Sequence, residues 1–250
     1  MSTKLYVLLA LLVQAIWILE VTPCAWCEYE VIEVKDGGTI SGSVRFLGDI
    51  PEPEMLVVDK DLHTCGMETR PSKKLIIDEN TRGIKNAVVY IENITRGKKF
   101  GEKWHYVMDQ MACEFIPHVQ VIPVNSTLEI RNSDPIAHNV HAYSLKNTTF
   151  NESIPSRGIP LYKSFELQEM IKVGCDRHNW MRAWVVVMEN PYYDLTWFDG
   201  TFKITDVPPG DYKISVWHEA FDEEVLAAQA QEVRLMPNQE VRLDFKLSLD

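Results

Sequence analysis

A chain of 250 residues with 46% hydrophobic content is globular rather than disordered, and is long enough for one large or two small cores. Its net charge of −11, from 25 basic and 36 acidic residues, argues against nucleic-acid binding, which needs a basic surface. The acidic balance suits either a merely solvated surface or a face for a basic docking partner.

The chain opens with Lys4 and an apolar run over residues 5–19, followed by a polar-to-small tail over residues 20–27. This pattern predicts a secretory signal peptide over residues 1–27, with Ala25 and Cys27 small enough for cleavage after Cys27. A span needs roughly 20 apolar residues, so the mature chain is expected to carry no transmembrane segment; a signal retained as an anchor is the alternative. The expected location is a periplasm, or the extracellular space or cell surface. Export gives meaning to Cys65, Cys113 and Cys175, because an odd count in an oxidising compartment leaves one thiol unpaired. With Cys175 on a metal, Cys65 and Cys113 form a disulfide; the alternative is a soft-metal cluster of His63, Cys65 and Met67.

Strand patterns then dominate. Ile40, Gly42, Val44 and Phe46 alternate with polar residues, and Ala87-Val88-Val89-Tyr90-Ile91 is a short β-rich run. Residues 119–124 and 128–130 flank the turn signal Asn125-Ser126-Thr127, and Phe165 and Leu167 alternate with Ser164 and Glu166. Trp184-Val185-Val186-Val187-Met188 reads as a buried strand. Phe202 and Ile204 precede the turn Val207-Pro208-Pro209-Gly210, Tyr212, Ile214 and Val216 resume the alternation, and period two closes the chain from Val241 to Leu249. Helix is expected only as a turn or two within residues 221–232 and one turn at 167–171. Many short strands between turn signals predict an all-β sandwich protein.

The chemistry concentrates in Cys175-Asp176-Arg177-His178-Asn179-Trp180-Met181, a Cys-x-x-His-x-x-Met motif. Thiolate, imidazole and thioether form a soft donor set, which selects copper over magnesium or calcium. A second imidazole is available upstream in Pro135-Ile136-Ala137-His138-Asn139-Val140-His141. The predicted centre is one copper held by His138, Cys175 and His178 with Met181 as a weak axial ligand. A single Cys in the loop argues against a dinuclear copper site and against structural zinc. His141 is an alternative ligand, although on a strand it points away from the face of His138. His118, His141 and His218 either build a second metal site or serve as separate packing residues.

The same stretch resembles the cupredoxins, the blue copper proteins. Phe115-Ile116-Pro117 leads into a Val-rich strand, and Ile130-Arg131-Asn132-Ser133-Asp134 is a strand ending in an Asn-x-Asp corner followed by His138-Asn139. The short spacing around His178 is similar to the ligand loop of amicyanin-type members. The resemblance implies a Greek-key sandwich with one type 1 copper for one-electron transfer, an exposed His edge as electron port, and Asn139 tying the His138 strand to the Cys175 loop. Gly38-Thr39-Ile40-Ser41-Gly42 and Lys85-Asn86-Ala87-Val88-Val89-Tyr90 before it, with Asp199-Gly200-Thr201-Phe202 and Pro208-Pro209-Gly210-Asp211-Tyr212 after it, resemble a carboxypeptidase regulatory-like (transthyretin-like) β-sandwich. That likeness implies binding or scaffolding, and no peptidase signature is present.

The expected layout is a cupredoxin domain at 104–190 inserted between segments 28–103 and 191–250 that pair into the second sandwich. The expected role is an exported electron carrier, or a subunit of a redox complex that is membrane-associated or free, with a redox protein as partner. A non-catalytic binding or scaffold protein is the alternative, and a copper enzyme would need a second copper.

Overall fold

The computed structural model describes residues 29–66, 68–102 and 105–249. The signal-peptide pattern, Met67 and Trp104 lie outside the described residues. The protein is all-β, built as two sandwiches packed against each other. Among the described residues no helix is long and apolar enough to cross a membrane.

The first sandwich occupies residues 106–188. One sheet has four strands in the order Leu161–Ser164, Thr127–Asn132, Tyr106–Met111, Glu114–Ile116. The other has five, Phe150–Ile154, His138–Tyr143, Glu169–Gly174, Arg182–Met188 and Val119–Pro123. Alternate residues from both sheets, among them Met108, Ile130, Val140, Ile171 and Val185, interdigitate in one buried core. The turn at Asn125 does not close a hairpin: Val119–Pro123 pairs with Arg182–Met188, and Thr127–Asn132 pairs in the opposite sheet. That crossing is a Greek-key feature.

Residues 167–171 are not helical as expected. Glu169–Gly174 is the middle strand of the five, with Ile171 and Val173 buried at period two. Packing against both neighbours overrides the weak local helix pattern. The Phe165–Leu167 alternation also falls beyond its strand, which ends at Ser164. The C-terminal helix does form, as Glu223–Ala228, and Gln231–Leu235 behind it is a strand.

The second sandwich draws on both ends of the chain. Gly38–Phe46 lies between Thr201–Val207 and Glu240–Leu247, and Val88–Ile91 lies between Tyr193–Leu195 and Gly210–Trp217, with Gln231–Leu235 beyond. Val44 and Val216 belong to different sheets and share one core with Ile40, Ile91, Phe202 and Phe245. The chain leaves this sandwich after Ile91 and returns at Tyr193, which is registered against Tyr90. Gly200 makes the Asp199-Gly200 turn possible: its φ is +74°, and a Cβ there would stand 2.3 Å from the Val44 carbonyl oxygen.

The unbroken apolar run in Arg182–Met188 has a direct cause. Val185 and Val187 face the first core, while Val186 and Met188 face outward against Val88 and Trp217 of the second sandwich. A sheet covered on both faces reads as continuous hydrophobic sequence. The Trp184 and Trp217 rings meet edge-on across this seam, centroids 5.0 Å apart.

One segment of the N-terminal region crosses to the first sandwich. Met55–Val57 pairs with Thr69–Pro71, and between them the short helix Leu62–Cys65 carries Cys65 into a disulfide with Cys113. Val58 and Cys65 are buried in the first core. Arg70 binds the carbonyls of Ala112 and Cys113 at 3.1 and 3.2 Å and that of Cys65, so it clamps both sides of the link. The bridge joins residues 48 apart in sequence. Cys65→Ser/Cys113→Ser is expected to lose about 2–4 kcal/mol of unfolding free energy in urea titrations; an unchanged midpoint would show that the link contributes nothing.

Candidate metal centre

The motif of residues 175–181 is the loop of a hairpin. It joins Glu169–Gly174 to Arg182–Met188, which pair up to Gly174 opposite Arg182. The loop is closed by Cys175 N–H to the Met181 carbonyl at 3.2 Å and Met181 N–H to the His178 carbonyl at 2.9 Å. The neighbouring strand His138–Tyr143 aligns His141 with Gly174, which sets His138 at the level of the loop. Cys175, His178 and His138 therefore converge, and Met181 is buried in the same core as Cys175. The Cys175 Sγ lies 3.7 Å from His178 Nδ1 and 4.0 Å from His138 Nδ1, and the two Nδ1 atoms are 2.9 Å apart. Both imidazoles are fully buried.

The far sides of the rings decide their tautomers. His138 Nε2 is 2.8 Å from Asp134 Oδ2, and His178 Nε2 is 2.9 Å from Asp61 Oδ2. An ionised carboxylate only accepts, so each Nε2 carries the proton and donates it. Burial pushes the His138 pKa below its ordinary value, against the opposing hydrogen bond to Asp134. The hydrogen bond from His178 holds the Asp61 carboxyl below the usual range. The two Nδ1 atoms then face each other across 2.9 Å, in a buried space that also holds a thiol sulfur. Two unprotonated nitrogens at that distance repel, and either a proton shared between them or a metal ion relieves the repulsion. Metal–donor legs of roughly 2.0 Å for imidazole and roughly 2.3 Å for thiolate bridge such separations, so the donor set fits a single soft metal ion.

Hydrogen bonds fix the donors in advance. The Asn139 Oδ1 accepts from Asp176 N–H at 2.8 Å, Arg177 N–H at 3.3 Å and the Cys175 thiol at 3.2 Å. Asn139 thus ties the His138 strand to the loop. Asn132 builds the corner ahead of His138 by donating to the carbonyls of Ile136, Ile154 and Pro155 and accepting from Asp134 N–H. Asp134 is gripped by Ala112 N–H at 2.7 Å and Cys113 N–H at 2.8 Å. Those two residues form the turn between Tyr106–Met111 and Glu114–Ile116, with φ of 53° and 55°. Successive amides in such a turn make a small anion cradle.

Two features depart from expectation. The exposed His edge is absent: His178 has no accessible surface, and Asp61 with the turn leading into Leu62–Cys65 covers its Nε2. Neither carboxylate partner was among the sequence candidates. Asp134 carries a usable signal, four residues before His138 at the Asn-x-Asp corner. Asp61 carries none, since it reaches His178 from 117 positions away.

The other histidines are occupied elsewhere. His141 Nδ1 lies 3.1 Å from Asp176 Oδ1 on the surface, beside Tyr143. His118 pairs with Glu219, whose other oxygen accepts from the Trp184 indole at 2.8 Å, and this cluster lies between the sandwiches. His218 donates from Nε2 to the Lys85 carbonyl at 3.1 Å and accepts on Nδ1 from Ala220 N–H at 3.2 Å. Among the described residues, none of these three joins a group of convergent metal donors. The alternative cluster of His63, Cys65 and Met67 loses Cys65 to the disulfide.

No family model matches the chain, and neither does any curated protein sequence. Several solved structures are similar to part of it. A Cu-containing nitrite reductase from Thermus scotoductus SA-01 is 20% identical over 37% of this chain, with a TM-score of 0.32. A purple cupredoxin from Nitrosopumilus maritimus is 22% identical over 33% of this chain and 99% of its own, with a TM-score of 0.29. Amicyanin from Paracoccus versutus is 19% identical over 34% of this chain and 81% of its own, with a TM-score of 0.30. The chain spans only 24% of the nitrite reductase.

His218 gives this region a pH signature. Burial lowers its pKa from 6.5 to about 4, so between those values the unfolded chain binds the extra proton. Stability is therefore full above pH ~6.5 and falls as pH drops toward ~4, by about 3 kcal/mol from this residue. Unfolding free energies measured across that window are expected to show this slope, and His218→Gln is expected to flatten it.

Proposed function

We propose that the chain is an exported, mononuclear copper protein that transfers one electron at a time. The observation that carries this reading is the convergence of two buried Nδ1 atoms, 2.9 Å apart, on a buried thiol. A metal ion there would use both ring nitrogens at once, and the donors are those of a type 1 copper site. Copper would supply a one-electron redox couple. Cys175 as thiolate and His138 and His178 through Nδ1 would hold the ion, with Met181 as the weak fourth donor.

Everything else these residues do is to hold still. Asn139 fixes the loop, and the two carboxylates fix the rings, before any ion arrives. Donors that do not move between oxidation states keep the barrier to electron transfer low. Burial of the centre excludes water as a competing ligand.

We further read residues 28–103 and 191–250 as a carboxypeptidase regulatory-like module carrying the copper domain of 104–190. The Asp199-Gly200 turn and the sharing of one core by Val44 and Val216 support it. That module would dock the centre to a redox protein partner, free or in a membrane-associated complex. The N-terminal apolar pattern and the disulfide support export to an oxidising compartment.

The test is to add Cu(II) to the purified protein and record metal content, visible absorption and spin resonance. One copper per chain and an intense thiolate band are expected, with Cys175→Ser losing the band. No retained copper would instead favour a binding or scaffold protein, and two coppers per chain a copper enzyme.

A further inference from the structure

We propose that Asp61 is a positioning residue for the metal: it holds His178 by its outer nitrogen, adds negative charge to that ligand, and seals the ring from solvent. This rests on the copper reading of the same centre.

The geometry is unusual in three ways. First, Asp61 occupies the N-cap position of Leu62–Cys65, where an aspartate ordinarily accepts from its own helix, yet its side chain makes no such bond. Its carboxylate is turned instead to His178 Nε2 at 2.9 Å. Second, its backbone is left-handed, with φ of 51°, a conformation that costs a non-glycine residue energy and here aims the side chain at the ring. Third, the segment is anchored on both sides of Asp61. Lys60 Nζ reaches the Arg177 carbonyl on the ligand loop at 3.5 Å, and Cys65 is bonded to Cys113. A local stability role would have kept the cap bond; the diverted carboxylate serves the imidazole.

The consequence for the ligand follows from elementary electrostatics. A carboxylate accepting from Nε2–H fixes the tautomer that leaves Nδ1 free, makes that nitrogen a stronger donor, and places a negative charge near the metal. The higher oxidation state gains more from that charge, so Asp61 lowers the reduction potential. Asp134 does the same for His138, so both imidazoles are backed by carboxylates.

The experiment compares copper-loaded wild type, Asp61→Ala, Asp61→Asn and Asp59→Ala. Metal affinity is read by competition with a Cu(I) chelator and the midpoint potential by spectroelectrochemical titration. Asp61→Ala is expected to bind copper roughly 10–100-fold more weakly, to have a higher potential, and to keep the thiolate band. Asp61→Asn keeps an accepting oxygen and loses the charge, so it is expected to raise the potential with a smaller loss of affinity; it is the variant to read if Asp61→Ala does not fold. Asp59→Ala removes the same charge two residues away and is expected to leave both quantities unchanged. Unchanged affinity and potential in the Asp61 variants, or an equal shift in Asp59→Ala, would overturn the proposal. Failure of the wild type to take up copper would instead overturn the reading on which it rests.

Discussion

The structure depends on one electrostatic constraint. Two buried imidazoles are held with their Nδ1 atoms facing each other by carboxylates behind them. Turning His138 away would abandon Asp134, a charged acceptor in a buried site, and turning His178 away would give up its bond to Asp61. The rest of the first sandwich serves this arrangement: two paired strands present the loop, a third presents His138, and Asn139 locks the two together.

The supports come from three separate places. Asp134 is held by the turn at Ala112 and Cys113, that turn is held by the disulfide and Arg70, and the disulfide's other half closes the segment that carries Asp61. The two carboxylates that back the two rings are thus mechanically linked through Cys65 and Cys113. The second sandwich acts from the opposite side. Its Val88 and Trp217 cover the outer face of Val119–Pro123 and Arg182–Met188, the latter being one of the two strands that flank the Cys175 loop.

The legible parts of the site were those the chain writes contiguously. Cys175 and His178 could be read as neighbours because a hairpin loop must bring them together, and His138-Asn139 because it follows a corner that Asn132 builds. The all-β class was legible from period two at Ile40–Phe46 and Val241–Leu249. The middle strand Glu169–Gly174 was not, because its pattern is set by neighbours on both sides rather than by its own residues. Asp61 was invisible for a related reason: its position is fixed by a covalent link and a fold, and no local pattern reports either. The buried His178 edge follows from it, since the cover is made of residues remote in sequence.

The register of Tyr193 against Tyr90 has a bearing on how the chain finds its fold. To pair those neighbours directly, a flexible chain must close a large loop, at an entropic cost that grows with the logarithm of loop length. Once the first sandwich has formed, its two ends lie close to each other, Tyr106 at one end being near Tyr193 beyond the other. The effective loop then shrinks to the short tethers at either end, and the host strands meet as though they were joined by a simple turn.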